Sequence, residues 1–325
     1  MRGFMKNKSA LTQFLLVLCI VMVCAVLFSA IGGFALAAFS GMSVTEIADP
    51  SKWDYKKPSV IVMVRGMMLV QFLGVFVIPS LIAAWLFGSH TNKYIGLVRT
   101  RNVQYFLAAI VVMILALPLV NWLGEINRHV QFPASIEKWM KESEQQAQQT
   151  IKGILSQGGI KNLLLNIIFI ALFAGVGEEL LFRGVVQRIL IKLFKSPWAG
   201  IIVSAVLFSA LHMQFYGFLP RFMLGILLGI IYWYSGSLWP AIIAHFVYDA
   251  LLIVLAYFNP EMMNDDATIV KTANLALMGV VSLALVSGVV WWMMKQSNTQ
   301  YEEVYGDDAV TYKNHPFDIE GELPR

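Results

Sequence analysis

Eight apolar stretches, at about 11–39, 60–87, 105–123, 163–193, 198–218, 221–238, 239–257 and 272–294, recur along the chain and limit what it can fold into. Runs of roughly 18 or more apolar residues cross a bilayer as helices, because lipid leaves the backbone only itself to hydrogen-bond with. The expected fold is therefore all-α, a polytopic transmembrane bundle of about eight spans. Of the 325 residues, 58% are hydrophobic and only 14% charged, where soluble domains carry about a quarter charged. The net charge of +4 is spread through short loops and forms no basic run. Nucleic acid is thus excluded as a partner, and the lipid bilayer is the first one expected.

The first run is too long for the apolar region of a secretory signal, so it is expected to be a retained helix. Its two cysteines, Cys19 and Cys24, do not share a helical face and are expected to pack rather than pair. Basic residues in short loops stay in the cytoplasm. Arg2, Lys6 and Lys8, then Lys93, Arg99 and Arg101, then Lys192 and Lys195 place both termini there, the expected location being a bacterial inner membrane. Segment 133–156 suggests a surface helix whose thin apolar stripe (Ile136, Trp139, Met140, Ala147) favours a solvated connector over an interfacial lid. The polar, acidic end, with Glu302, Glu303, Asp307 and Asp308, is expected to be a disordered tail. The resulting division is 1–160 for the N-terminal spans and surface helix, 161–258 for a catalytic core, 259–295 for the last span and 296–325 for the tail. In the sixth span Gly225 and Gly229 make a GxxxG, which permits close helix contact.

Ionisable groups in spans are costly, so the few present are functional candidates. They gather in three stretches: Glu178, Glu179 and Arg183; His212; and His245 with Asp249. Glu179 and Arg183, four residues apart, share a helical face and would neutralise each other. Glu178 points about 100° away and is left as the candidate reactive carboxylate. By the same spacing Asp249 is expected to orient His245. With spans taken as roughly 167–190, 199–219 and 239–257, Glu178, His212, His245 and Asp249 fall within about 5 Å of their midplanes.

Two chemistries fit these residue types. A carboxylate and a histidine can activate a water for attack on a peptide carbonyl, the second histidine stabilising the oxyanion, with no cofactor required. Alternatively Glu178, His212, His245 and Asp249 supply zinc ligands, the metal lowering the pKa of bound water. A different class also places Glu, His and Asp at the midplane: a proton-coupled transporter, or a non-catalytic binding or immunity protein. The absence of two related halves and of paired broken helices in the sequence argues against transport.

In order and spacing, Glu178-Glu179-x-x-x-Arg183, Phe208-x-x-x-His212 and His245-x-x-x-Asp249 resemble the motif set of the CAAX protease and bacteriocin-processing (CPBP, or Abi) family of intramembrane peptidases. The resemblance spans about 163–257. It implies an all-helical endopeptidase acting on a peptide or membrane-protein substrate. In it Glu178 and His212 activate water, Glu179 and Arg183 hold the helix, and His245 with the residue at 249 faces the oxyanion. The prenyl-protease branch carries an asparagine where this chain has Asp249, and an ionised aspartate accepts hydrogen bonds but cannot donate them.

Overall fold

The computed structural model describes residues 2–100, 102–263 and 274–297, and among these every regular element is helical. Helix α1 (Ala10–Ser40) buries only Gln13, Val17 and Cys24, so nearly its whole circumference is left to lipid. Its one buried amide is satisfied at the helix start, where Gln13 donates to the carbonyls of Met5 at 3.0 Å and Lys6 at 3.1 Å. Helix α2 (Pro58–Phe87) packs alongside it. Cys19 is exposed and Cys24 buried, both as free thiols.

The third apolar run becomes two helices, α3 (Gln104–Leu115) and α4 (Leu117–Arg128), bent by 40°. Pro118 explains the break, since it has no N–H to give to the preceding turn. Ser282 repairs it from a neighbouring helix, donating to the Leu115 carbonyl and accepting from the Leu119 N–H at 3.3 Å. The remaining elements are α5 (Ala134–Leu155), α6 (Ile160–Phe194), α7 (Pro197–Ala210), α8 (Phe218–Ser235), α9 (Leu238–Phe258) and α10 (Leu275–Gln296). Six helices are long and apolar enough to cross a membrane, or seven if the bent pair is one span. The fifth apolar run, expected at 198–218, yields the shorter α7, of 14 residues. The chain is thus an integral, multi-pass membrane protein. The tail beyond Ser297 and most of the connection from Pro260 to Lys271 lie outside the described residues.

Helix α6 carries four ionisable groups, Glu178, Glu179, Arg183 and Arg188, which oppose its insertion into lipid. The fold answers by burying them in protein rather than lipid. Glu179, Arg183 and Arg188 are each at most 1% exposed, and Arg188 donates to the Tyr94 carbonyl with its guanidinium 4.3 Å from the Tyr94 ring. One core runs from Val17 of α1 through α6, α8 and α9 to Met293 of α10.

Helix α5 is more than a solvated connector. Met140 and Ile154 are buried, Trp139 lies 5.1 Å from the Phe215 ring, and Thr150 accepts from the Tyr55 hydroxyl at 3.0 Å. One face is docked on the bundle while Lys138, Lys141 and Glu142 stay exposed.

The contact that sets the site is that of α6 with α9. A Cβ at Gly175 would lie 3.0 Å from the Phe246 backbone nitrogen and 3.2 Å from the Ile242 carbonyl, so only glycine lets the two backbones come this close. Gly175→Val is expected to force the helices apart at a cost of about 1–3 kcal/mol. Thermal unfolding in detergent should show a lowered midpoint, and an unchanged midpoint would contradict this packing.

Candidate active site

Two π-helical turns, Ile167–Leu172 and Phe182–Gln187, flank the α-helical stretch Phe173–Leu181 that carries the paired glutamates. Such turns add a residue to the helical circuit and re-aim the side chains that follow, and they recur at functional sites. Neighbouring positions on a helix diverge by about 100°, so the two carboxylates serve different surroundings. Glu179 turns into the protein and is fully buried. Its Oε1 accepts from Arg183 Nη1 at 2.7 Å and from His245 Nδ1 at 2.9 Å.

Arg183 is fixed on three sides. Beyond Glu179, its Nη2 donates to the Gly225 carbonyl of α8 at 3.0 Å, and its guanidinium lies 4.6 Å from the Phe208 ring of α7. One turn on, Gln187 donates to the Gly229 carbonyl at 3.2 Å. The GxxxG of α8 therefore does more than bring helices together. Bare of side chains, its two glycines let α6 reach α8 backbone carbonyls, and a Cβ at Gly225 would lie 2.9 Å from that of Ala205.

Glu178 faces the other way, into a cavity of about 470 Å³ whose wall also holds His212, His245 and Asp249. Its Oε1 is 3.9 Å from His212 Nε2 and its Oε2 is 4.0 Å from His245 Nε2. The His212 ring is set by its other nitrogen, for Nδ1 lies 2.7 Å from the Phe208 carbonyl. A carbonyl can only accept, so Nδ1 carries the hydrogen and, in a neutral ring, Nε2 offers its lone pair toward Glu178. The ring also meets Phe208 edge-on at 5.0 Å. His245 likewise gives its Nδ1–H to Glu179 and turns Nε2 to the cavity, 3.4 Å from Asp249 Oδ2.

All six sequence-derived residues thus meet, but three details differ from expectation. First, His212 is not in mid-span. Helix α7 ends at Ala210, and Met213, with φ of 54°, turns the chain immediately afterwards. The imidazole enters the cavity from the end of a short helix. Second, Asp249, 3.4 Å from His245 Nε2, is joined in orienting that ring by Glu179 from another helix, which takes Nδ1 at 2.9 Å. Third, the side chains do not close into a metal-ligand set: among the described residues, no group of three or more His, Cys, Asp or Glu can hold a metal ion. Donors sharing a tetrahedral zinc at about 2.0–2.1 Å sit roughly 3.3 Å apart. His245 Nε2 and Asp249 Oδ2, 3.4 Å apart, match that spacing, but Nε2 of His212 and of His245 lie wider, 3.9 and 4.0 Å from Glu178.

Two polar features escaped the sequence reading. Arg221, at the edge of the sixth apolar run, lines the same cavity. Arg65, within the second run, is buried and donates to Asn162 at 3.2 Å and Asn166 at 2.8 Å. The rule that singled out Glu178, a charge inside a span, applies to both. Neither has an ionisable partner nearby in sequence, so local spacing did not reveal them.

A family model described as type II CAAX prenyl endopeptidase, Rce1-like, matches residues 160–251. An uncharacterized protein, YpbD of Bacillus subtilis (strain 168), is 32% identical over 95 residues, which cover 28% of this chain. The match spans 46% of that relative's length, just under half. No solved structure matches.

The two glutamates should separate by experiment. Glu179→Gln leaves buried Arg183 without its charge partner, a change that costs about 3–5 kcal/mol when one member of a buried pair is removed. Its thermal midpoint in detergent is expected to fall clearly, whereas Glu178→Gln should stay close to wild type. Equal midpoints for the two variants would refute the division between them.

Proposed function

With residues 160–251 forming an Rce1-like domain of the type II CAAX prenyl endopeptidase family, we propose that this protein is an intramembrane endopeptidase hydrolysing a peptide bond of a membrane-associated protein or peptide. The observation that carries the reading is the Glu178 carboxylate, which faces Nε2 of both His212 and His245 inside a cavity enclosed by membrane helices.

Gaps of 3.9 and 4.0 Å are too wide for direct hydrogen bonds, and their width allows one water to touch both members of a pair. The substrate water is held between Glu178 Oε1 and His212 Nε2. As its oxygen attacks the scissile carbonyl carbon, its proton passes to Glu178. A hydrogen on His245 Nε2 then donates to the oxyanion, while Glu179 holds the ring through Nδ1. Collapse of the tetrahedral intermediate breaks the C–N bond, and Glu178 returns its proton to the leaving amine. Asp249 accepts from His245 Nε2–H before the oxyanion forms, a part its carboxylate can play without being a donor. Arg183 positions Glu179 and touches no reacting atom.

Residues 161–258 are the catalytic core in this reading, with the spans of 1–160 and 259–295 enclosing it. With the six-span count, the distribution of basic loops puts both termini in the cytoplasm. Prenylated substrates are not assumed.

Glu178→Ala and His212→Ala are each expected to lower cleavage by about 10²–10⁴-fold, the contribution of a positioned acid–base group, while the protein still inserts and folds. Comparative proteomics of membrane and secreted peptides, in cells with wild-type or Glu178→Ala protein, would name the substrate through new termini. Full activity of purified Glu178→Ala would reject the assignment, and solute uptake into proteoliposomes without cleavage would favour transport.

Because the ligand geometry for zinc is not met, cleavage by purified protein is expected to survive exhaustive chelation, and Asp249→Asn to retain most of it. Loss of activity on chelation, restored by zinc, would overturn the metal-free route.

A further inference from the structure

The charged groups of the cavity are not held alike. Glu178, His212, His245 and Asp249 face one another, whereas Arg221 projects from the start of α8 and bonds to neutral acceptors. Its Nη1 donates to the Gln214 carbonyl at 2.8 Å and its Nη2 to the Gln214 side-chain oxygen. Among the described residues no carboxylate forms an ion pair with it.

The guanidinium sits in a built cradle. A Cβ at Gly217 would lie 2.7 Å from Arg221 Nη1 and 2.9 Å from Cζ, so the bare position 217 leaves the space in which the guanidinium lies, and a side chain there would push it aside. Met213 adopts a left-handed backbone, with φ of 54°, directly after His212. That conformation is disfavoured by roughly 1–2 kcal/mol for a residue with a side chain. It turns the chain so that His212, Gly217 and Arg221 line one cavity.

Gln214 occupies one donor on each Nη and leaves the rest of the fork for a second acceptor. Most of the other lining residues are apolar, including Phe72, Phe76, Leu224 and Leu252, so the cavity wall offers a bound anion few polar partners besides Arg221. A carboxylate matches the fork in shape. It would be repelled by Glu178 and Asp249, which line the same cavity, so its charge also favours one placement of a peptide over others.

We infer that Arg221 is the substrate-orienting residue of this cavity, binding a carboxylate of the peptide, either its C-terminus or an Asp or Glu side chain, with the scissile carbonyl at Glu178. The inference rests on the peptidase reading and adds a specificity to it.

The test uses the full chain in nanodiscs and a mixed-sequence fluorogenic peptide library in three forms: free-acid C-termini, amidated C-termini, and amidated C-termini with an added Asp. Wild-type protein should favour carboxylate-bearing peptides over neutral ones by about tenfold or more in kcat/KM, as expected for hydrogen bonds to a charged group. The free-acid and Asp arms tell the two sources apart. In Arg221→Gln the preference should fall to near one, mainly through KM, with partial recovery in Arg221→Lys. Gly217→Ala should shift it in the same direction by displacing the guanidinium. A preference that survives Arg221→Gln, or that wild type lacks, overturns the inference. Binding to Glu178→Ala, followed by fluorescence anisotropy, separates the two readings. If wild type cleaves no library, the peptidase reading fails, and equal affinity of Glu178→Ala for acid and amide forms then rejects the carboxylate site as well.

Discussion

A single carboxylate oxygen, Glu179 Oε1, receives hydrogen bonds from both Arg183 and His245 in the buried centre of the bundle. Charges of this kind are expensive in lipid and persist only when protein surrounds and pairs them. That requirement ties four helices together. Helix α6 supplies the Glu–Arg pair, α9 the imidazole, α8 the Gly225 carbonyl and α7 the Phe208 ring beneath the guanidinium. Rotating any one of them would strand a charge, so the network fixes the helices in azimuth as well as in contact.

Once His245 is held through Nδ1, its other nitrogen is committed to the cavity. The same holds for His212, whose Nδ1–H is satisfied by the Phe208 carbonyl one turn back in its own helix. Both rings thereby present Nε2 to Glu178, which the helical repeat has turned away from its neighbour. Adjacent glutamates thus divide the work, one binding the scaffold and the other facing the cavity. The proposed chemistry is a consequence of that division.

The cavity has a polar end and an otherwise mainly apolar wall, with Ile151 of α5 contributing to it. Helix α5 therefore belongs to the enclosure of the site, docked through Trp139, Met140 and Ile154. The turn between α7 and α8 has two parts in the site, carrying His212 at its start and the cradle of Arg221 at its end. In the proposed peptidase, chemistry and recognition of a substrate carboxylate are built from one connection.

Much of this was legible in the residues alone. Apolar run length identified the helices, since a bilayer requires a minimum stretch, and intrahelical spacing paired Glu179 with Arg183 and isolated Glu178. The rule that spans avoid charge marked all six candidate residues. Spacing along one helix says nothing about a neighbouring helix, however, and for that reason Asp249 was expected to orient His245. The crossing of α6 and α9, permitted at Gly175, also brings Glu179 to the other nitrogen of that ring. Helix ends are equally invisible when an apolar run continues past them, so His212 was expected in mid-span although α7 stops at Ala210. The chain by itself determined which groups must be buried and shielded from lipid. Only the tertiary structure decided which of them touch, because rotation, crossing and termination of helices are set by packing between elements far apart in sequence.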